Sequence, residues 1–202
     1  METLLLRKYE IDEIIETFNE GKVVAIPTDT VFGLGCVFDS YDAYERIKEI
    51  KHRDKDKPLP MMCNSLAMIE KVAYVDDKAR KIIEKLTPGA LTLILKKKEV
   101  INDYFTNHKD TIAIRIPDDE LLLTIMTRLD KPLFMTSCNM ANEPNIESYR
   151  EVYSIFSGLV DALVMENAKS DVASTIVDLT KEKIAILREG IITKEKIEEV
   201  VL

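Results

Sequence analysis

Short runs of apolar and β-branched residues alternate with stretches of helical periodicity along the whole 202-residue chain. That alternation limits the fold more than any other feature. A strand buries its faces on a period of two and a helix on a period of about 3.6, so the two patterns cannot exchange places. Ile11, Ile14, Ile15 and Phe18 fall on one helix face ahead of Gly21, a helix stop. Residues 23–26 then read as a continuous apolar strand ended by Pro27. Ser40 is placed to cap a helix running to about Lys51, with Tyr44 and Ile47 turned inward. Residues 59–63 read as a strand and 66–72 and 77–86 as helices, the second stopped by Thr87-Pro88-Gly89. Strands follow at 91–95 and 111–116, Asp118 or Asp119 caps a helix through Arg128, and Pro132 precedes a strand at 133–136. A helix near 148–156, strands near 163–165, 175–177 and 184–187, and a short helix from Thr193 complete the pattern. No repeat, low-complexity tract or Pro/Gly/Ser-rich linker interrupts it, which predicts one α/β domain. Apolar neighbours flank nearly every strand, predicting a sheet covered by helices over most of its area.

Hydrophobic residues make up 46% of the chain and charged residues 32%, the balance of a soluble globular protein. Cys36, Cys63 and Cys138 show no C-x-x-C spacing and read as reduced thiols of a cytosolic protein. The first residues lack the apolar segment of a signal peptide, and no apolar run approaches a membrane span. A cytoplasmic protein without a membrane partner is expected. The formal net charge of −8 argues against a non-specific DNA binder. Yet Arg46, Lys48, Lys51, Arg53, Lys55 and Lys57 crowd together against Glu49, Asp54 and Asp56. Such a segment is either a site for a small anion or a solvated helix face.

The chain has no G-x-x-x-x-G-K-[ST] loop, and Gly33-Leu34-Gly35 alone is too short for a dinucleotide fingerprint. Two histidines, His52 and His108, exclude a histidine metal cluster, and neither lies in a nucleophile motif. Chemistry here should rest on positioning and charge stabilisation. The polar clusters sit at the ends of strands, where α/β proteins bind ligands. One follows the first apolar strand from Pro27 to Gly35 and also reads as an ordinary turn. In Lys51-His52-Arg53, a spacing of two in non-helical backbone points both cations the same way. That suits a phosphate clamp, although cations there also satisfy a helix dipole. Ser137 and Asn139 follow a third strand as hydrogen-bond donors or as caps. Ser174 and Arg188 lie in two further clusters, each ordinary on its own.

Taken in order, the blocks PTDTVFGLG, K-x-R with K-P-L, TPGALT, TIAIRIP, TSCN, STIVD and LREG resemble the YrdC/TsaC/YciO family from about Gly21 to Gly190. The resemblance implies a twisted, open, mixed sheet with helices packed on it and a large concave, positively charged cavity. It also implies one YrdC-like domain over residues 1–202, without the second domain of longer relatives. The activity implied is that of a nucleotidyltransferase, an L-threonylcarbamoyladenylate synthase. Such an enzyme joins L-threonine, bicarbonate and ATP into threonylcarbamoyl-AMP and pyrophosphate, with Mg2+ accompanying the nucleotide. A downstream transferase complex would pass the product to tRNA as threonylcarbamoyladenosine, and tRNA or double-stranded RNA is a further implied partner. By match to the motifs, Thr30, Arg115 and Ser174 would hold threonine. Arg53, Lys57, Thr111, Ser137, Asn139, Asn145 and Arg188 would hold ATP, with Lys51 and Arg53 catalytic and facing solvent. Met62 stands where several synthases carry a histidine, and the segments around it, Thr87 and Glu189 lean toward the YciO-like branch. Two alternatives therefore stand beside the synthase. One is a YciO-like ATP-using enzyme with a different acceptor or a hydrolytic role; the other is an RNA-binding protein without catalysis.

Overall fold

A computed structural model describes residues 2–54, 56–140, 143–170 and 172–201; Lys55 of the basic segment lies outside them. Among the described residues, strands β1 (Leu4–Leu6), β2 (Val24–Ile26), β3 (Gly33–Val37), β4 (Met61–Met62) and β5 (Leu91–Lys96) combine with β6 (Thr111–Arg115), β7 (Leu133–Ser137), β8 (Ala162–Val164), β9 (Thr175–Asp178) and β10 (Ala185–Arg188). They build one open, mixed, 10-stranded sheet in the order β1-β8-β2-β3-β7-β4-β6-β5-β9-β10. Helices α1 (Ile11–Asn19), α2 (Tyr41–Ile50), α3 (Leu66–Val72), α4 (Asp77–Leu86), α5 (Glu120–Leu129), α6 (Tyr149–Phe156) and α7 (Lys194–Val201) pack against it.

The helix ends follow from local chemistry. The side chains of Ser40, Ser65, Asp76 and Asp119 accept backbone N–H bonds and start α2, α3, α4 and α5. Between the two candidates for α5, Asp119 is the cap. Gly21, at φ 70°, ends α1. The N–H groups of Gly21 and Lys22 return to the carbonyls of Phe18 and Thr17, a Schellman closure. His52 does the same for α2 at φ 49°, with N–H bonds from His52 to Glu49 and from Arg53 to Lys48.

Period-two alternation divides the interior. On one face Ala25, Leu34, Met61, Leu93, Ile114, Phe134 and Leu163 join a core with residues of α2, α3, α4, α6 and α7. On the other face Val24, Ile26, Val37, Leu133, Met135 and Val164 pack under α1 and α5. Those two helices lie on each other and cover only the half of the sheet from β1 to β7. Over β6, β5 and β9 the same face carries Ala113, Arg115, Thr92, Ile94 and Ile176, which line a cavity instead. Helices thus cover most of the sheet, as expected, and leave open only this part of one face. The alternation of small or polar with large apolar residues in β5 and β6 leaves one face unfit for a helix.

Two strands escape the sequence reading. Residues 33–37 are a strand, antiparallel to β2 with Ile26 opposite Gly33, so the polar block after Pro27 is the loop of a hairpin. Gly33 and Gly35 hide that strand from propensity but are needed there. A Cβ on either would come within 2.7 Å or 2.8 Å of the Met135 side chain on β7. β1 is a short edge strand, too brief to show a period.

Candidate functional site

The cavity over the uncovered half of the sheet has a volume of about 410 Å³. Its floor is strand and its mouth is loop. Of the residues expected in a site, Thr30, Arg53, Lys57, Arg115, Ser137, Asn145, Ser174 and Arg188 line it, and Met62 does as well. Lys51, Thr111 and Asn139 do not. Thr111 shares the cavity face of β6 with Ala113 and Arg115 but lies at the far end of the strand, opposite Lys96.

The inner end is organised by Arg115, which is 4% exposed. Its Nη1 donates to Thr30 Oγ1 at 2.7 Å, its Nη2 to Asp29 Oδ2 at 2.7 Å and its Nε to the Gly89 carbonyl at 3.0 Å. Burial lowers the Arg115 pKa from its ordinary value while Asp29 opposes the shift, and a guanidinium stays charged regardless. Asp29 Oδ1 is buried without a hydrogen-bond partner among the described residues, where the carboxylate has this one ion pair. Thr28 Oγ1 and Thr30 Oγ1 sit 3.0 Å apart, which fixes the hydroxyl that Arg115 meets.

Across the floor, Thr92 on β5 faces Ser174, their hydroxyls 2.8 Å apart. Arg188 donates through Nε and Nη2 to the Ser174 carbonyl at 3.0 Å and 2.8 Å. A register shift between Ile186 and Arg188 in β10 turns Leu187 and Arg188 onto the cavity, as bulges commonly re-aim side chains. Gly190 makes this approach possible, because a Cβ there would lie 2.2 Å from the Ala173 carbonyl oxygen.

At the mouth, Arg53 spends Nε on the Lys57 carbonyl at 2.8 Å and Nη2 on the Pro58 carbonyl at 3.0 Å, shaping its own loop. Burial lowers its pKa, opposed by Tyr44 and Asp54. Among the described lining residues Arg53, Lys57, Lys109, Arg115 and Arg188 are cationic and Asp56 alone is acidic. The hollow is therefore electropositive within a chain of net charge −8, which suits an anionic ligand. Lys109 carries no motif and escaped the sequence reading. Thr92 was legible in principle as the polar step within Leu91-Thr92-Leu93.

Lys51 requires a correction. It is 3% exposed rather than solvent-facing. The left-handed His52 reverses the chain between Lys51 and Arg53, so the assumption of extended backbone fails. Lys51 Nζ instead donates to the carbonyls of Ser137 and Asn139 and to Asn139 Oδ1. Asn139 Oδ1 also accepts from Ser137 Oγ at 2.6 Å, and its Nδ2 donates to the Glu143 carbonyl at 2.6 Å. Lys51 and Asn139 thus form a buttress under the loop that presents Ser137. Burial pulls the Lys51 pKa down to about 8; the Cys138 thiol opposes the shift and Arg53 adds to it. The rest of the basic segment divides between the two readings: Arg46 pairs with Asp161 and Lys48 with Glu45 on the surface of α2, while Arg53 and Lys57 reach the cavity.

Comparison with known proteins gives four findings. The family model Sua5_yciO_yrdC, described as "Telomere recombination", matches residues 16–190. A threonylcarbamoyl-AMP synthase of Pyrococcus abyssi is 34% identical over 184 residues, covering 90% of this chain and 54% of that protein. A Methanocaldococcus jannaschii protein given the same name provisionally is 35% identical over 194 residues, 95% of this chain and 90% of its own. The crystal structure of P. abyssi Sua5 complexed with L-threonine superimposes with a TM-score of 0.92 at 31% identity, covering 100% of this chain and 61% of that one. The chain thus spans about half the length of the P. abyssi relative.

Proposed function

This chain belongs to the Sua5/YciO/YrdC family, and from that premise we propose that it is an L-threonylcarbamoyladenylate synthase. It would make threonylcarbamoyl-AMP from L-threonine, bicarbonate and ATP, releasing pyrophosphate and water, for the threonylcarbamoyladenosine modification of tRNA. The observation that carries this reading is the pairing, within one cavity, of a buried hydroxyl-and-guanidinium cluster with a cationic mouth. Arg115 would take the threonine carboxylate, with Thr30 and Ser174 orienting the amino acid beside it. Arg53, Lys57, Ser137, Asn145 and Arg188 would hold the nucleotide.

In this scheme the threonine amine is carboxylated by bicarbonate with loss of water. An oxygen of the resulting carbamate then attacks the α-phosphorus as the bond to pyrophosphate breaks. Every step runs between bound substrates, so no side chain needs to become acylated or phosphorylated. The protein's part is to align the carbamate with the α-phosphate and to stabilise charge growing on phosphoryl oxygens. Mg2+ would arrive on the triphosphate, with Asp56 the one carboxylate among the described lining residues. Lys51 and Asn139 act one layer behind, through Ser137, and Thr111 has no contact with the cavity to recommend it.

The test is pyrophosphate release from ATP and Mg2+ in the presence of L-threonine and bicarbonate. Release that depends on both is expected. Release without threonine, or with a different amino acid preferred, would replace this reading with another ATP-using activity.

A further inference from the structure

The cavity cations differ in how many of their donors are already committed. Arg115 gives hydrogen bonds to Thr30, Asp29 and Gly89, Arg188 to Ser174, and Arg53 to Lys57 and Pro58. Each is held by its own surroundings and offers a ligand what remains. Two lining lysines differ. Both are exposed. Lys57 Nζ has no hydrogen bond or ion pair among the described residues, and Lys109 Nζ makes one long approach of 3.4 Å to the Asp56 carbonyl.

The loops that carry these lysines are tied to each other. The Tyr44 hydroxyl donates to the Phe105 carbonyl at 2.8 Å and accepts from the Leu59 N–H at 3.1 Å, joining the loop behind Lys109 to the loop behind Lys57. Phe105 is wedged against Tyr44 and Phe134, with ring centroids 4.9 Å and 5.1 Å away. Asn107 Nδ2 donates to Asp56 Oδ1 at 3.1 Å. Asn107 and His108, at φ 51° and 57°, turn the chain sharply before Lys109. Non-glycine residues adopt that conformation at a cost and rarely in succession. The backbone is therefore fixed while both ammonium groups keep rotational freedom.

We propose that Lys109 and Lys57 together form the pyrophosphate-holding end of the cavity, which makes Lys109 a substrate-binding residue. The identification of that anion rests on the function proposed above. A terminal diphosphate carries the highest charge density of the ligand, has to leave after each turnover, and presents oxygens in several directions. Flexible ammonium groups with three donors each suit it better than a locked guanidinium. The exposed mouth lets the product depart directly into solvent.

The experiment titrates inorganic pyrophosphate and, separately, AMP into the intact protein by calorimetry, at low salt and without ATP. It compares the native chain with Lys109→Ala, Lys57→Ala, the double variant and Lys109→Arg, using Lys131→Ala as a remote-lysine control. Removing one charge-assisted contact should weaken pyrophosphate binding by about tenfold. Lys109→Arg should keep most of the affinity, while Lys131→Ala and AMP binding by every variant should be unchanged. Native-like pyrophosphate affinity in Lys109→Ala overturns the proposal. So does an equal loss for AMP, which would mark a general charge effect, and so does a native chain that binds no pyrophosphate. Failure of the synthase reading would register elsewhere, as absence of threonine-dependent turnover in a chain that still binds pyrophosphate through Lys109.

Discussion

Lys51 holds Asn139 at two points, with Nζ 2.5 Å from the Asn139 carbonyl oxygen and 3.0 Å from its Oδ1. The same ammonium meets the Ser137 carbonyl, so the loop after β7 is moulded around one buried charge. Lys51→Met should leave a folded protein whose Ser137 is no longer fixed. Displacing a positioned group by about 1 Å commonly costs about a hundredfold in rate. A loss of that order in kcat/KM for ATP is expected, with L-threonine binding by calorimetry nearly unchanged. Lys51→Arg should not restore activity, since a planar fork cannot converge on three oxygens around one nitrogen. Native turnover in either variant would show that the buttress is dispensable.

The same lysine sets an opposed pair of pH dependences. Its folded pKa is about 8 against an ordinary value of 10.5. Between those values the unfolded chain holds a proton that the folded chain has released, so Lys51 contributes stability that rises as pH climbs through this window. Below about pH 8 both states are protonated and its contribution is flat. Turnover should move the other way, because a neutral amine has fewer hydrogens to give. Melting temperature and kcat followed from pH 7 upward should diverge at this point in the native chain. In Lys51→Met both profiles should lose that feature.

Arg115 and Asp29 form a buried ion pair, their side chains 5% and 9% exposed. Removing one member of such a pair costs about 3–5 kcal/mol, because the other charge stays buried alone. Arg115→Met should show that loss in urea unfolding. Pairing it with Asp29→Asn should recover most of the stability, while L-threonine binding remains lost in both. Threonine binding that survives in the double variant would remove Arg115 from the amino-acid site.

Gly190→Ala tests the approach that brings Arg188 to the floor. The added methyl would meet backbone, the Ala173 carbonyl oxygen at 2.2 Å, where no side-chain rotation can relieve it. Overpacking of this kind costs about 1–3 kcal/mol. A lower melting temperature together with weakened nucleotide binding is expected, since the strap carrying Arg188 must lift from Ser174.

Much of the fold was legible because its signals are local. The face of α1 with Ile14, Ile15 and Phe18, the caps Ser40 and Asp119, and the alternation in Thr111-Ile112-Ala113-Ile114-Arg115 each speak within one or two turns of chain. That alternation separates the cavity face from the core face, a division visible only once β5 and β9 are placed beside it. β3 was not legible, because its glycines answer to Met135, about a hundred residues away in sequence, and long-range packing overrides local propensity. Ordered blocks identified the cavity residues from Thr30 to Arg188, but they could not tell which cations touch the cavity and which support it. Lys51 looked like a clamp because the reversal at His52 leaves no mark in composition. Lys109 was missed for the opposite reason, since an exposed lysine in a polar loop resembles any other.

The half of the sheet left bare by α1 and α5 separates two kinds of control. Its floor positions, Thr92, Ile94, Ala113 and Ile176, are locked in ladder register, so changing one side chain alters the shape presented to a bound molecule without moving its neighbours. Under the proposed synthase function, selection among amino acids would then rest on strand substitutions at this floor. Entry and release of a charged ligand would fall instead to the rim loops that carry Lys57 and Lys109, so the two properties would be open to separate alteration.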